Sequence, residues 1–122
     1  MRHNIKATGF ELTPAIKDYV EKVVNHLDKF TNCEDNELPM CYVEIGKTTN
    51  HHKNGDLFKA EFTIHIGGKS LRNEKVAEDL YSALDEVQNE MTEEIKAFKK
   101  KKSNLFRKGG AKIKEMLKRF TS

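Results

Sequence analysis

The chain opens on alternation. In RHNIKAT, His3, Ile5 and Ala7 fall on one side and Arg2, Asn4, Lys6 and Thr8 on the other, the two-residue period of a half-buried strand. After Gly9 the period lengthens. LTPAIKDYVEKVVNHLDKF places Ile16, Tyr19, Val20, Val23, Leu27 and Phe30 at helical spacing, with Lys17, Asp18, Glu21, Lys22, Asn25, Asp28 and Lys29 on the opposite face. Thr13 suits the N-cap and Pro14 the first helical position, where its missing N–H leaves no bond unmade. The polar TNCEDNELP, ending in Pro39, predicts a loop.

Alternation returns in MCYVEIGK, with Cys41, Val43 and Ile45 on one face and Tyr42 and Glu44 on the other. Within TTNHHKNGD the Asn54-Gly55 pair predicts a hairpin turn. LFKAEFTIHI is the clearest strand: Phe58, Ala60, Phe62, Ile64 and Ile66 point inward, Lys59, Glu61, Thr63 and His65 outward. Gly67-Gly68 predicts a second hairpin turn into a shorter, more polar strand, KSLRNEK. Leu80, Leu84, Val87, Met91, Ile95 and Phe98 then mark a long second helix, whose stripe should pack on the same sheet face as the first. Beyond it, Ser103-Asn104 and Gly109-Gly110 bracket an expected flexible joint. Ile113, Met116, Leu117 and Phe120 in AKIKEMLKRF are spaced for a short amphipathic helix formed on contact with a partner.

The order β-α-β-β-β-α predicts an α+β open-faced sandwich: a four-stranded mixed sheet with two helices on one face, plus a basic C-terminal tail. One domain is expected over residues 1–102, with 103–122 as the flexible tail. A length of 122 residues and 37% hydrophobic content suit a single compact core. Met1 to Phe10 has no signal-peptide apolar stretch and no run of ~18 apolar residues occurs, so neither secretion by that route nor a membrane span is expected. Two cysteines, Cys33 and Cys41, fit a reducing cytoplasm.

Charge is segregated along the chain. Eleven of the 22 Lys and Arg, but one of the 19 acids, lie from Lys96 onward; that segment carries +10 and the remainder, eleven bases against eighteen acids, −7. The exposed side of the second helix changes sign with it, from Glu78, Asp79, Asp85, Glu86, Glu90, Glu93 and Glu94 to Lys96 and Lys99 to Lys102. The helix macrodipole favours bases at the C-terminal end, but its influence fades within a turn and cannot account for the whole run.

Catalytic signals are weak by comparison. The acids of the second helix suit a solvated face better than an acid/base pair, which needs a pocket that perturbs a pKa. His51-His52 are adjacent in a turn and diverge, and would need further ligands to hold a metal. Cys33 and Cys41 lack the setting of a nucleophile. Gly67-Gly68-Lys69 lacks the leading glycine and following Ser or Thr of a phosphate loop. No catalytic residue, cofactor or metal is therefore expected. The basic segment carries the better signal: Lys96, Lys99, Lys100, Lys101, Lys102, Arg107, Lys108, Lys112, Lys114, Lys118 and Arg119 can neutralise phosphates, and Leu105, Phe106 and Phe120 interleave groups able to stack or wedge. RNA is the favoured partner. A membrane surface or an acidic protein fits the same basic amphipathic pattern.

The ordered set IKATGFELTPAIKDYVEK (Ile5 to Lys22), HLDKF (His26 to Phe30) and EDLYSALD (Glu78 to Asp85), in the β-α-β-β-β-α order, resembles the ribosome hibernation promoting factor family, also called protein Y or ribosome-associated inhibitor A, over about residues 2 to 102. The resemblance implies a cytoplasmic, stress-linked, non-enzymatic translation inhibitor that binds the small ribosomal subunit and its rRNA. It would occupy the mRNA channel near the A and P sites and compete with mRNA and tRNA. It implies rRNA contacts from Lys17, Lys22 and Lys29 on the first helix and Lys96, Lys99 and Lys101 on the second. His26 stands where some relatives have lysine, so its contact would be pH-dependent or absent; Glu93 and Ala97 likewise replace bases of some relatives. With some twenty residues after Lys102, a short-form monomer without the long-form dimerisation domain is expected. The tail's RNA role rests on charge alone. A general structured-RNA-binding module and a regulator docking an acidic protein are the alternative functions.

Overall fold

The computed structural model describes residues 1–31, 39–49 and 55–107. Its elements follow the expected order: β1 (Arg2–Thr8), α1 (Pro14–Thr31), β2 (Met40–Thr49), β3 (Asp56–Ile66), β4 (Lys69–Ala77) and α2 (Leu80–Arg107). The sheet order is β1-β2-β3-β4, with β1 parallel to β2 and the other pairs antiparallel. This is the four-stranded mixed sheet of an α+β open-faced sandwich. The loop at 32–38 with Cys33, the turn residues 50–54 with His51, His52 and Asn54, and the segment from Lys108 onward lie outside the described residues.

Local chemistry explains where the helices start. The Thr13 Oγ1 accepts from the Ile16 amide at 3.2 Å and the Thr13 carbonyl from the Lys17 amide at 2.9 Å, so Thr13 caps α1 as its sequence indicates. Asp79 caps α2 in the same way, its Oδ2 accepting from the Ser82 amide at 3.2 Å. The β3–β4 connection is two residues long because Gly67 and Gly68 take φ of 56° and 75°, the left-handed values that a primed hairpin turn requires.

Cross-strand register puts Cys41 beside Ile64, Val43 beside Phe62 and Ile45 beside Ala60 on the face beneath the helices. Val20, Val23, Val24 and Leu27 of α1 and Leu80, Ala83, Leu84, Val87, Met91 and Ile95 of α2 complete a buried core around them. Val24 widens the stripe read from the sequence. The exposed sheet face carries instead an ionic lattice: Glu61 accepts from Arg72 Nε at 3.0 Å and pairs with Lys59 at 3.4 Å, and Glu74 pairs with both bases. Exposed pairs of this kind contribute ~0–1 kcal/mol each, so the core rather than the lattice holds the fold.

Two features depart from the sequence pattern. Glu90 and Glu94, assigned to the solvent side, turn toward the edge strand. Both accept from the Nδ2 of buried Asn73 at 2.9 Å, and Lys75 Nζ reaches Glu90 at 2.7 Å, which clamps α2 to β4. In addition, α2 continues through Ser103 and Asn104 to Arg107, so the first of the two positions expected to bracket a joint is helical. Ser and Asn cost a helix interior only a few tenths of a kcal/mol each, too little to end one already nucleated.

Truncating Phe62, fully buried at the sheet centre, to Ala should lower unfolding stability by ~3–5 kcal/mol, read as a shift in denaturant midpoint. Stability should also fall in acid. Arg72 holds the Glu61 carboxyl, and Lys75 with Asn73 the Glu90 carboxyl, below the ordinary carboxylate range. Both contributions are present above the unfolded carboxyl pKa and vanish as pH falls through the depressed folded values. Glu61→Gln should flatten that acid dependence while leaving the neutral-pH fold intact.

Candidate nucleic-acid interface

The two helices lie side by side and run the same way. Near their starts Tyr19 donates to Asp85 and packs edge-on against Tyr81, with ring centroids 4.8 Å apart. Farther on, the Lys96 ammonium sits 5.2 Å from the centroid of the Phe30 ring. Contacts advance together along both helices only if the two are parallel. Their C-terminal ends therefore meet, and both present the negative end of a macrodipole, where cations are favoured.

The bases of α1 divide between two flanks. Lys22, His26 and Lys29 recur at four and three residues and share one exposed stripe beside α2. Lys17 lies about 140° around the helix from Lys22. It is nearer the flank where Glu21 pairs with His3 at 3.7 Å and Asp28 with the Met1 amino group at 2.9 Å, toward β1. The fold thus brings Lys22, His26 and Lys29 together with Lys96 and leaves Lys17 apart. His26 is half-buried, its ring 5.2 Å from that of Phe30, so Phe30 touches both His26 and Lys96 across the helix seam.

The lysine run on α2 has a different geometry. Phe98 sits at the Gly67 turn that closes the sheet; a Cβ at Gly67 would meet its ring at 3.7 Å, and the Lys69 ammonium lies 5.6 Å from the ring centroid. From Lys99 to Arg107 the helix therefore continues past the sheet for about 13 Å. Consecutive residues step round a helix by about 100°, so Lys99, Lys100 and Lys101 spread over more than half of its circumference rather than forming one stripe. A helix packed on a sheet could not keep such a spread of charge in water; an overhanging one can. Lys102 continues the run, Arg107 is the last residue of α2, and Lys108 lies outside the described residues.

Charge compensation is uneven over the molecule. On the exposed sheet face Lys59 and Arg72, at the far end of β2 Lys47, and on the β4 edge Lys75 each pair with a carboxylate. Lys96 pairs with Glu93 at 3.8 Å. Among the described residues Lys17, Lys22, Lys29, Lys99, Lys100 and Lys101 form no ion pair. Free ammonium groups at converging helix ends can take up phosphate without first surrendering a carboxylate partner. Among these residues no group of three or more His, Cys, Asp or Glu is arranged to hold a metal ion, and no helix is long and apolar enough to cross a membrane. Sequence reasoning missed Lys69, which the hairpin turn delivers to this end, and the two aromatic seats, Phe30 and Phe98. No local pattern could have revealed them, because each seat joins residues distant along the chain.

An open-faced sandwich whose two parallel helices end in uncompensated bases defines a small α+β domain suited to a polyanion. The chain belongs to the sigma 54 modulation protein / S30EA ribosomal protein family, whose sequence model matches residues 3–103. It is 31% identical to the ribosome hibernation promotion factor of Bacillus subtilis over 112 residues, 91% of this chain and 55% of that protein. Against the factor of Lactococcus lactis it is 30% identical over 99 residues, 81% of this chain and 50% of that one. The chain thus spans about half the length of the curated relatives it matches. Its fold superposes on the N-terminal domain of Thermus thermophilus Protein Y with a TM-score of 0.66 at 26% identity, covering 80% of this chain and 99% of that domain. A ribosomal subunit interface protein from Coxiella burnetii shares the fold, with a TM-score of 0.59 at 16% identity over 81% of this chain and 98% of that one.

If compensation decides which bases are available, changing Lys99, Lys100 and Lys101 together to Ala should lower the salt needed to elute the protein from immobilised heparin. Changing the paired Lys47, Lys59 and Lys75 to Ala should lower it much less, although both variants give up the same formal charge.

Proposed function

We propose that this chain is a ribosome hibernation factor: a non-enzymatic cytoplasmic protein that binds the small ribosomal subunit, lies in the mRNA channel at the A and P sites, and inhibits translation by excluding mRNA and tRNA. It acts as a monomer and by occupancy, in response to stress. Ribosomal RNA phosphates are met by Lys22, Lys29, Lys96, Lys99, Lys100, Lys101 and Lys102, with His26 between Lys22 and Lys29 and a further contact from Lys17 on the separate flank. Arg107 and Lys108 are further RNA contacts in this reading. The observation that carries this reading is the convergence of unpaired lysines at two parallel helix ends, in a chain of a family whose relatives are named for ribosome hibernation. Phosphate contacts supply affinity and the rigid sandwich supplies the shape that blocks competing ligands.

Sedimentation with purified small subunits and whole ribosomes over a salt series tests it. The intact protein should travel with the small subunit at low salt and be displaced by tRNA and mRNA. Lys99 to Lys102 changed to Glu should abolish binding. Ending the chain after Arg107, the last described residue of α2, should lower affinity and reduce the slope of log affinity against log salt by about 0.7 to 0.9 for each phosphate that the shortened chain no longer neutralises. Failure to sediment with ribosomes at any salt refutes the proposal. Equal binding to free structured RNA, with no tRNA competition, would make the chain a general RNA-binding module instead.

A further inference from the structure

At the end of the sheet where the basic helix ends converge, the strands leave a cavity of ≈ 400 Å³. Its floor and walls are apolar: Pro39 and Ile66 are buried and Met40 is half-buried. Its rim is polar, with His65 on one side and Lys69 on the other, and the two glycines of the β3–β4 turn contribute backbone without side chains to narrow the mouth. A Cβ on Gly68 would have no heavy atom within 4 Å, so the approach there is open.

The rim groups each have a partner within the protein. The His65 ring is tied to Ser70, Nδ1 lying 2.6 Å from the hydroxyl oxygen, and is held edge-to-face against Tyr42 with centroids 5.3 Å apart. Lys69 forms no ion pair among the described residues, and Phe98 positions its ammonium. An apolar cavity with an imidazole at its rim and one cation that has no ion pair among the described residues is a poor receptor for an inorganic anion, which needs several donors. It is equally poor for an aliphatic chain, which needs no cation. It fits a planar heteroaromatic ring carrying a phosphate. The volume lies toward the low end of the ~300–1,000 Å³ of small-molecule sites, a size suited to one nucleotide and not to a base pair.

We propose that this cavity takes one unpaired nucleotide of the RNA, its base lodged against Met40 and Ile66 beside the His65 ring and its phosphate on Lys69. The proposal rests on the RNA-binding reading above and deepens it. The lysines at the helix ends give affinity without regard to sequence, whereas a single lodged base gives a fixed register and a preference for RNA with an unstacked residue at that point. A duplex, with every base stacked and paired, could meet the lysines but not fill the cavity.

Titration of the isotope-labelled full chain with each of the four ribonucleoside 5′-monophosphates, followed by amide chemical shifts, reads the cavity without a ribosome. Saturable shifts centred on Met40 and on Ile66 to Lys69 are expected, with at least one base preferred and inorganic phosphate at equal concentration leaving those amides unmoved. Met40→Trp, which fills the slot, should remove the response; Lys69→Ala should weaken it about tenfold, as removal of one charge-assisted hydrogen bond does. On small subunits Met40→Trp should weaken binding while leaving the salt slope as it was, because every phosphate keeps its lysine. Shifts confined to the α2 lysines, or matched by inorganic phosphate, would overturn the cavity proposal even if the protein sediments with ribosomes. Failure to sediment, with the nucleotide shifts intact, would instead sink the ribosome reading and leave the cavity standing.

Discussion

Parallel pairing of β1 with β2 is the constraint from which the rest of the architecture follows. Two parallel neighbours cannot be joined by a hairpin, so α1 must carry the chain back across the sheet, antiparallel to both strands. The two hairpins after it reverse direction twice, and β4 ends pointing as β1 does. The second helix then has to run back along the direction of α1. That is why the helices are parallel, why their C-terminal ends meet, and why the same end collects the start of β2, the close of β3 and the Gly67-Gly68 turn. A helix pair of opposite direction would have placed Lys29 and Lys99 at opposite ends of the molecule.

Placing two negative dipole ends side by side is unfavourable unless cations accompany them. The lysines at this end meet that electrostatic demand, but they outnumber it: the dipole acts over about one turn, and the run spreads around a helix that has left the sheet. The excess has no carboxylate partner among the described residues, whereas Lys59 and Arg72 of the exposed sheet face pair with Glu61 and Glu74, and Lys47 of β2 pairs with Asp56. One chain thus treats its cations in two ways: Lys47, Lys59, Arg72 and Lys75 are neutralised by neighbouring carboxylates, whereas Lys22, Lys29 and Lys99 to Lys101 are not. With a Debye length of about 8 to 10 Å at physiological salt, unpaired charges a turn apart still act together on a nearby phosphate backbone.

The fold was legible because each element carries its own period. Alternation in RHNIKAT, MCYVEIGK and LFKAEFTIHI marked the strands, the spacing of Leu80 to Phe98 marked the long helix, and Thr13-Pro14 and Gly67-Gly68 showed where the chain had to change conformation. The site was legible only as composition. Lys22, Lys29, Lys96 and Lys99 to Lys101 could be nominated from charge and resemblance, but nothing local says that Lys17 belongs to another flank. Nor does anything local say that Glu90 and Glu94 face Asn73, since a helical period assigns side chains to a stripe without saying what stands opposite that stripe.

The set of elements, the inward face of each, and the separation of a −7 body from a +10 end are all written in the order of residues, because each depends on residues close together along the chain. The tertiary structure alone decided which bases are free. Lys47 beside Asp56, Lys96 over Phe30 and Lys69 over Phe98 are brought together by strand register and helix packing. Availability for a partner is a property of distance in space, and a charge counted along a chain carries no information about the carboxylate or ring that another element will set beside it.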